Sequence, residues 1–147
     1  MTSQQCIENQ VWIAANATQV ERCFTEQELM HQWLNPALRC DPIGDWQVAV
    51  GSQMRFLLQV PLLQPSLKST VIERSPGLVI WEFEGFFQGR DRWECIPNET
   101  GTTLLNRFEF SVPNPIIQFG FRTFAQTWTQ RDMAAQLQRL KQVAERL

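Results

Sequence analysis

Between Asp45 and Phe110 apolar and polar side chains alternate mostly with a period of two, the signature of strands with one dry face. Met54, Phe56, Leu58 and Val60 stand against Gln53, Arg55 and Gln59, and Val79, Trp81 and Phe83 against Glu82 and Glu84. Asp91, Trp93 and Cys95 share one face of the next segment. Leu104, Asn106, Phe108 and Phe110 share a face opposite Arg107 and Glu109. Breaks at Gly51-Ser52, Pro61 to Pro65, Ser75-Pro76-Gly77, Gly85 to Gly89 and Asn98 to Gly101 separate these runs as turns separate the strands of a meander. An earlier strand is predicted over Cys6 to Ile13, with Ile7, Val11 and Ile13 on one face and Glu8, Gln10 and Trp12 on the other.

Two segments carry the helical period instead. Thr18 with Glu21, and Thr25 with Glu28, have the spacing of capping boxes. The apolar faces Val20-Cys23-Phe24 and Leu29-Met30-Trp33-Leu34 follow them, and Asn35-Pro36 ends the second. Near the C-terminus Ile117, Phe121, Phe124 and Trp128, then Met133, Leu137, Leu140, Ala144 and Leu147, recur at steps of three and four. The single step of five, from Trp128 to Met133, predicts a bend, a π-bulge or a change of face near Thr129 to Asp132. At ~1.5 Å per residue, a helix from Pro115 to Leu147 would run about 50 Å. Half-buried strands need a cover, and this helix is the sizeable element left to supply it. The pattern therefore predicts an α+β fold: a curved antiparallel sheet of about six to seven strands around a long C-terminal helix, with two short helices after the first strand.

The 147 residues suit one domain, residues 1–147. Thirteen basic and fifteen acidic side chains, in no run of one sign, leave no footprint for nucleic acid. No signal peptide and no apolar stretch of membrane-spanning length is read, so a cytoplasmic protein is expected. The four cysteines, Cys6, Cys23, Cys40 and Cys95, lie far apart without a CxxC pair and are expected to be reduced and buried. With a single histidine, no zinc site or other metal site is expected, and no nucleotide loop or nucleophile elbow implies a cofactor. Six tryptophans and ten phenylalanines without a tyrosine are the composition of an apolar, hydroxyl-poor interior.

The order of strand, two short helices, meander and long helix resembles the helix-grip fold of the START-like (SRPBCC) superfamily. Local sequence is similar to its polyketide cyclase/dehydrase branch in Val11-Trp12-Ile13-Ala14-Ala15, Val20-Glu21-Arg22-Cys23-Phe24 and His31-Gln32-Trp33-Leu34-Asn35-Pro36. The stretches Val50 to Phe56, Glu99 to Leu104 and Leu137 to Glu145 extend the resemblance over nearly the whole chain. It implies a cavity between sheet and helix for lipids, polyketides or other apolar molecules, in a superfamily holding both enzymes and binders.

On that arrangement Phe56, Leu58, Trp81, Phe83, Trp93, Asn106 and Phe108 would face a ligand from the sheet, with Phe124 and Trp128 approaching from the helix. Dense packing of the same side chains is the alternative. Asn106 needs a partner, because an unpaired amide on an apolar face costs about 1–3 kcal/mol. A ligand, a backbone group or Asn9 could each supply it. His31, as the one histidine, is the natural candidate for proton transfer, but it is read on a short helix, where an exposed or packing role is expected. Asp91 is expected in a salt bridge or turn contact beside Arg90 and Arg92, with a buried acid or base as the alternative. The leading reading is binding or transport of a small hydrophobic molecule, lipid, polyketide or isoprenoid-like. A cyclase or dehydratase, and a protein-interaction module using the Phe119-Phe121-Phe124 surface, are the alternatives.

Overall fold

The computed structural model describes residues 4–58, 66–85, 87–112, 114–115 and 126–147, with only the backbone described at 58 and 126–128. Seven strands form one sheet: β1 (Gln5–Ile13), β2 (Leu38–Ile43), β3 (Gln53–Leu58), β4 (Ser66–Ser75), β5 (Leu78–Gly85), β6 (Gln88–Pro97) and β7 (Thr102–Ser111). Their spatial order is β1-β7-β6-β5-β4-β3-β2, and each pairing is antiparallel. Helices α1 (Ala17–Thr25) and α2 (Gln27–Trp33) follow β1, and α3 (Gln126–Glu145) closes the chain. This is the α+β helix-grip architecture. Strand β2 lies before the region whose alternation was evident; Pro36 just ahead of it and Pro42 within it obscure its short pattern.

Both short helices start elsewhere than the Thr–Glu spacing predicted. Asn16 caps α1: its Oδ1 accepts from Gln19 N at 2.8 Å, and Gln19 Oε1 accepts from Asn16 N at 3.3 Å. Glu21, the expected box partner, instead pairs with Arg74. Thr25 ends α1, donating its hydroxyl to Glu21 O at 2.9 Å, so α2 starts from Glu26 without a side-chain cap.

The helices bury their apolar faces on one side of the sheet. The larger core joins Val20, Phe24, Met30 and Trp33 from α1 and α2 to Met54, Val79, Trp93 and Leu104 from the sheet, and to Leu137 and Leu140 from α3. A smaller cluster of Ile7, Phe83, Phe108, Phe110 and Val112 lies further along the same face, with Met133 against it. Helix α3 is continuous α-helix through Thr129 to Asp132, so the expected π-bulge does not occur. The phase slip has another cause. Asp132 and Gln136 hold polar positions there: Asn35 Nδ2 and Gln136 Nε2 each donate to the Asp132 carboxylate at 2.7 Å, while Arg139 Nε donates to Trp33 O at 2.8 Å. These bonds fasten α3 to the end of α2. Leu147 falls beyond the helix and is exposed, not part of its stripe. At ~1.5 Å per residue the described helix is about 30 Å long. The expected residues 117–124 of the helix lie outside the described residues.

Candidate functional site

Strand register arranges the inner face in rungs. One runs Asn9, Asn106, Trp93, Val79 across β1, β7, β6 and β5; the next runs Ile7, Phe108, Asp91, Trp81. A polar group thus stands among apolar neighbours where the two clusters meet. Asp91 Oδ1 accepts from Asn106 Nδ2 and Asp91 Oδ2 from Trp93 Nε1, each at 2.8 Å. Asn106 Nδ2 also donates to Arg92 O at 3.2 Å.

The sequence expectation for Asp91 is overturned. Alternation turns Arg90 and Arg92 to the outer face, where Glu82 and Glu94 pair with them, and leaves the carboxyl inside with neutral donors. Removal from water opposes its charge more than the two hydrogen bonds support it, and its pKa is pushed up to about 6. The residue nevertheless keeps part of its surface accessible.

Among the described residues, four buried side-chain polar atoms lack a hydrogen bond: Asn9 Nδ2, Trp81 Nε1, Asn106 Oδ1 and Arg139 Nη2. Arg139 Nη2 lies 3.8 Å from an Asp132 oxygen in an ion pair. The other three belong to the two rungs around Asp91. By contrast, the indoles of Trp33, Trp46 and Trp93 each donate to an acceptor, to Cys23 O, Thr25 O and Asp91 respectively. Asn106 has found a partner, as its position required, but in Asp91 and not in Asn9.

The remaining sequence candidates divide. Trp81, Phe83, Trp93 and Phe108 are buried on the inner face, and Phe56 is half-buried against the larger core. Trp93 packs on Phe24 and Trp33, at ring-centroid distances of 5.8 and 5.2 Å, so it belongs to the core as much as to any site. Phe83 and Phe108 stack at 5.0 Å. The side chains of Leu58 and Trp128, and Phe119, Phe121 and Phe124 entirely, lie outside the described residues. His31 is exposed, with Nε2 accepting from Cys40 N at 3.2 Å, a tie between α2 and β2. Cys23, Cys40 and Cys95 are buried as expected; Cys6 is exposed, a correction. Among the described residues no cluster of metal-binding side chains occurs, and no helix is long and apolar enough to cross a membrane.

A pocket of about 560 Å³ lies elsewhere, on the outer face among Lys68, Thr70, Glu82 and Arg90. Its charged, open walls do not suit an apolar molecule.

The fold is shared with solved structures of low sequence identity. The Zhui aromatase/cyclase from Streptomyces sp. R1128 superposes with a TM-score of 0.77 at 15% identity, covering 98% of this chain and 95% of that one. The KanY protein gives 0.73 at 19% identity, covering 97% and 99%. Ara h 8.0201 gives 0.68 at 11% identity, covering 99% and 100%. No curated protein matches the sequence. A family model, described as polyketide cyclase / dehydrase and lipid transport, matches residues 4–145, and this chain therefore belongs to that family.

Proposed function

We propose that this protein binds a small, largely apolar molecule between the inner face of the sheet and α3, with Phe83 and Phe108 against its body and Trp81, Asn9 and Asn106 near its polar end. Leu58, Phe124 and Trp128, the candidates outside the described side chains, are proposed as further ligand contacts, and Phe56 and Trp93 as packing support. The carrying observation is the group of unmatched polar atoms, Asn9 Nδ2, Trp81 Nε1 and Asn106 Oδ1, around Asp91 in an otherwise apolar interior. Each unmatched buried group costs about 1–3 kcal/mol, a cost that a bound molecule's polar atom removes. Family membership and the fold shared with an aromatase/cyclase support the reading. Native mass spectrometry of the purified protein, followed by extraction, tests it. A stoichiometric apolar compound is expected, and it is lost in a folded Phe108→Arg variant. A bare mass, with no binding across a panel of lipids and aromatic polyketides, rules the reading out.

Asp91 favours a second reading, turnover of a polyketide-like substrate. A carboxyl with a pKa of about 6 is matched to proton transfer near neutrality. As a carboxylate it would take a proton from carbon next to a carbonyl whose oxygen the Asn9 and Trp81 donors hold. Turnover of a poly-β-ketone would then rise through about pH 6, and Asp91→Asn would abolish it while binding persists. A rate unaltered in Asp91→Asn excludes this role.

A further inference from the structure

We infer that the interior subsite formed by Asn9, Trp81, Asp91 and Asn106 selects a neutral hydroxyl group on its ligand, an alcohol or phenol, and rejects a carboxylate. This rests on the binding reading above and narrows it to a ligand class.

The selection follows from which atoms are matched and which are not. Asn9 Nδ2 and Trp81 Nε1 are donors without acceptors, and Asn106 Oδ1 is an acceptor without a donor. A hydroxyl accepts and donates through one oxygen, so it can serve both kinds of atom at once. A ligand carbonyl serves the donors but leaves Asn106 Oδ1 unmet. An ammonium offers nothing to the two donors.

A carboxylate would accept from both donors, but charge opposes it. Asp91 is the one ionisable side chain that the inner-face rungs of β1, β5, β6 and β7 place beside these atoms. The neighbouring arginines are held on the outer face: Arg90 by Glu82, Arg92 by Glu94, and Arg107 by Glu8 and Glu109. A second anion would therefore be taken out of water beside Asp91 with no cation from the described inner face of these strands to pair it, an arrangement that proteins avoid.

Calorimetric titration of the full chain at neutral pH with two matched series tests the assignment: 2-naphthol, naphthalene and 2-naphthoate; 1-dodecanol, dodecane and dodecanoate. In at least one series the hydroxyl compound is expected to bind tenfold or more tightly than both companions. Asn9→Leu, which removes an unmatched donor, is expected to shrink that preference severalfold. Carboxylate binding as tight as hydroxyl binding overturns the inference and leaves the apolar site standing. A hydroxyl preference untouched by both Asn9→Leu and Trp81→Phe also overturns it, since the group then binds elsewhere. Failure of all six compounds to bind overturns the inference together with the binding reading.

Discussion

Asp91 carries a charge that its surroundings disfavour, and this has a measurable pH signature. Its folded-state pKa, about 6, lies above the ordinary value of 3.8. Below about pH 4 the carboxyl is protonated in both states and contributes no penalty. As pH rises towards 6 the unfolded chain ionises while the folded one holds its proton, so stability falls; above 6 the loss levels off. Its size is on the order of 3 kcal/mol. Urea unfolding of wild type and Asp91→Asn should therefore diverge between pH 4 and 6, with wild type losing ground. Parallel curves would place the carboxyl in water. The cysteines give a second residue-scale test. Burial raises the thiol pKa of Cys23 to about 11 and those of Cys40 and Cys95 to about 12, whereas Cys6 is exposed. A thiol reagent at neutral pH should label Cys6 quickly and the other three only on unfolding.

Among the elements, α1 sets the observed cap, Asn16, against Thr18, the cap that the sequence predicted. Asn16→Ala removes a side chain bonded to Gln19 N and should cost about 1 kcal/mol. Thr18→Ala, at an exposed position inside the helix, should leave the unfolding midpoint unchanged or slightly raised. The α2–α3 junction depends on Asp132, which is mostly buried and accepts from both Asn35 and Gln136. Asp132→Ala leaves both amides unmatched and should lower stability by about 1–3 kcal/mol in denaturant titration. A smaller loss would mean that water replaces the carboxylate.

For the whole molecule, the inner face carries one cluster covered by all three helices and another that meets α3 at Met133. Packing and binding can be separated there. Phe110 is fully buried and Phe108 slightly less so. Phe110→Ala should cost about 3–5 kcal/mol as an ordinary core truncation. A saturating ligand should in turn raise the unfolding midpoint, by about 2–3 kcal/mol at a hundredfold excess over Kd. Phe108→Ala should lose much of that ligand-induced gain. A gain equal to wild type would remove Phe108 from the site.

Alternation and turn residues were enough to determine most of the sheet, because a period of two with a dry face has few other ways to be buried. They placed Asp91 and Trp93 on one face of β6 and Asn106 on one face of β7. The helical faces of α1, α2 and the described part of α3 were legible for the same reason. What local pattern could not carry was pairing across the chain. The separation of 15 positions between Asp91 and Asn106 is closed only when β6–β7 register sets the two side chains in contact. The same register turns Arg90 and Arg92 outward and so decides that Asp91 is a desolvated acid and not a salt-bridge partner. The fate of the expected box partner Glu21, and of the polar positions at the α3 phase slip, likewise depended on partners distant in sequence: Arg74 drawing off Glu21, and Asn35 reaching Asp132. Periodicity says which face a residue takes; only the assembled sheet and helices say what it meets there.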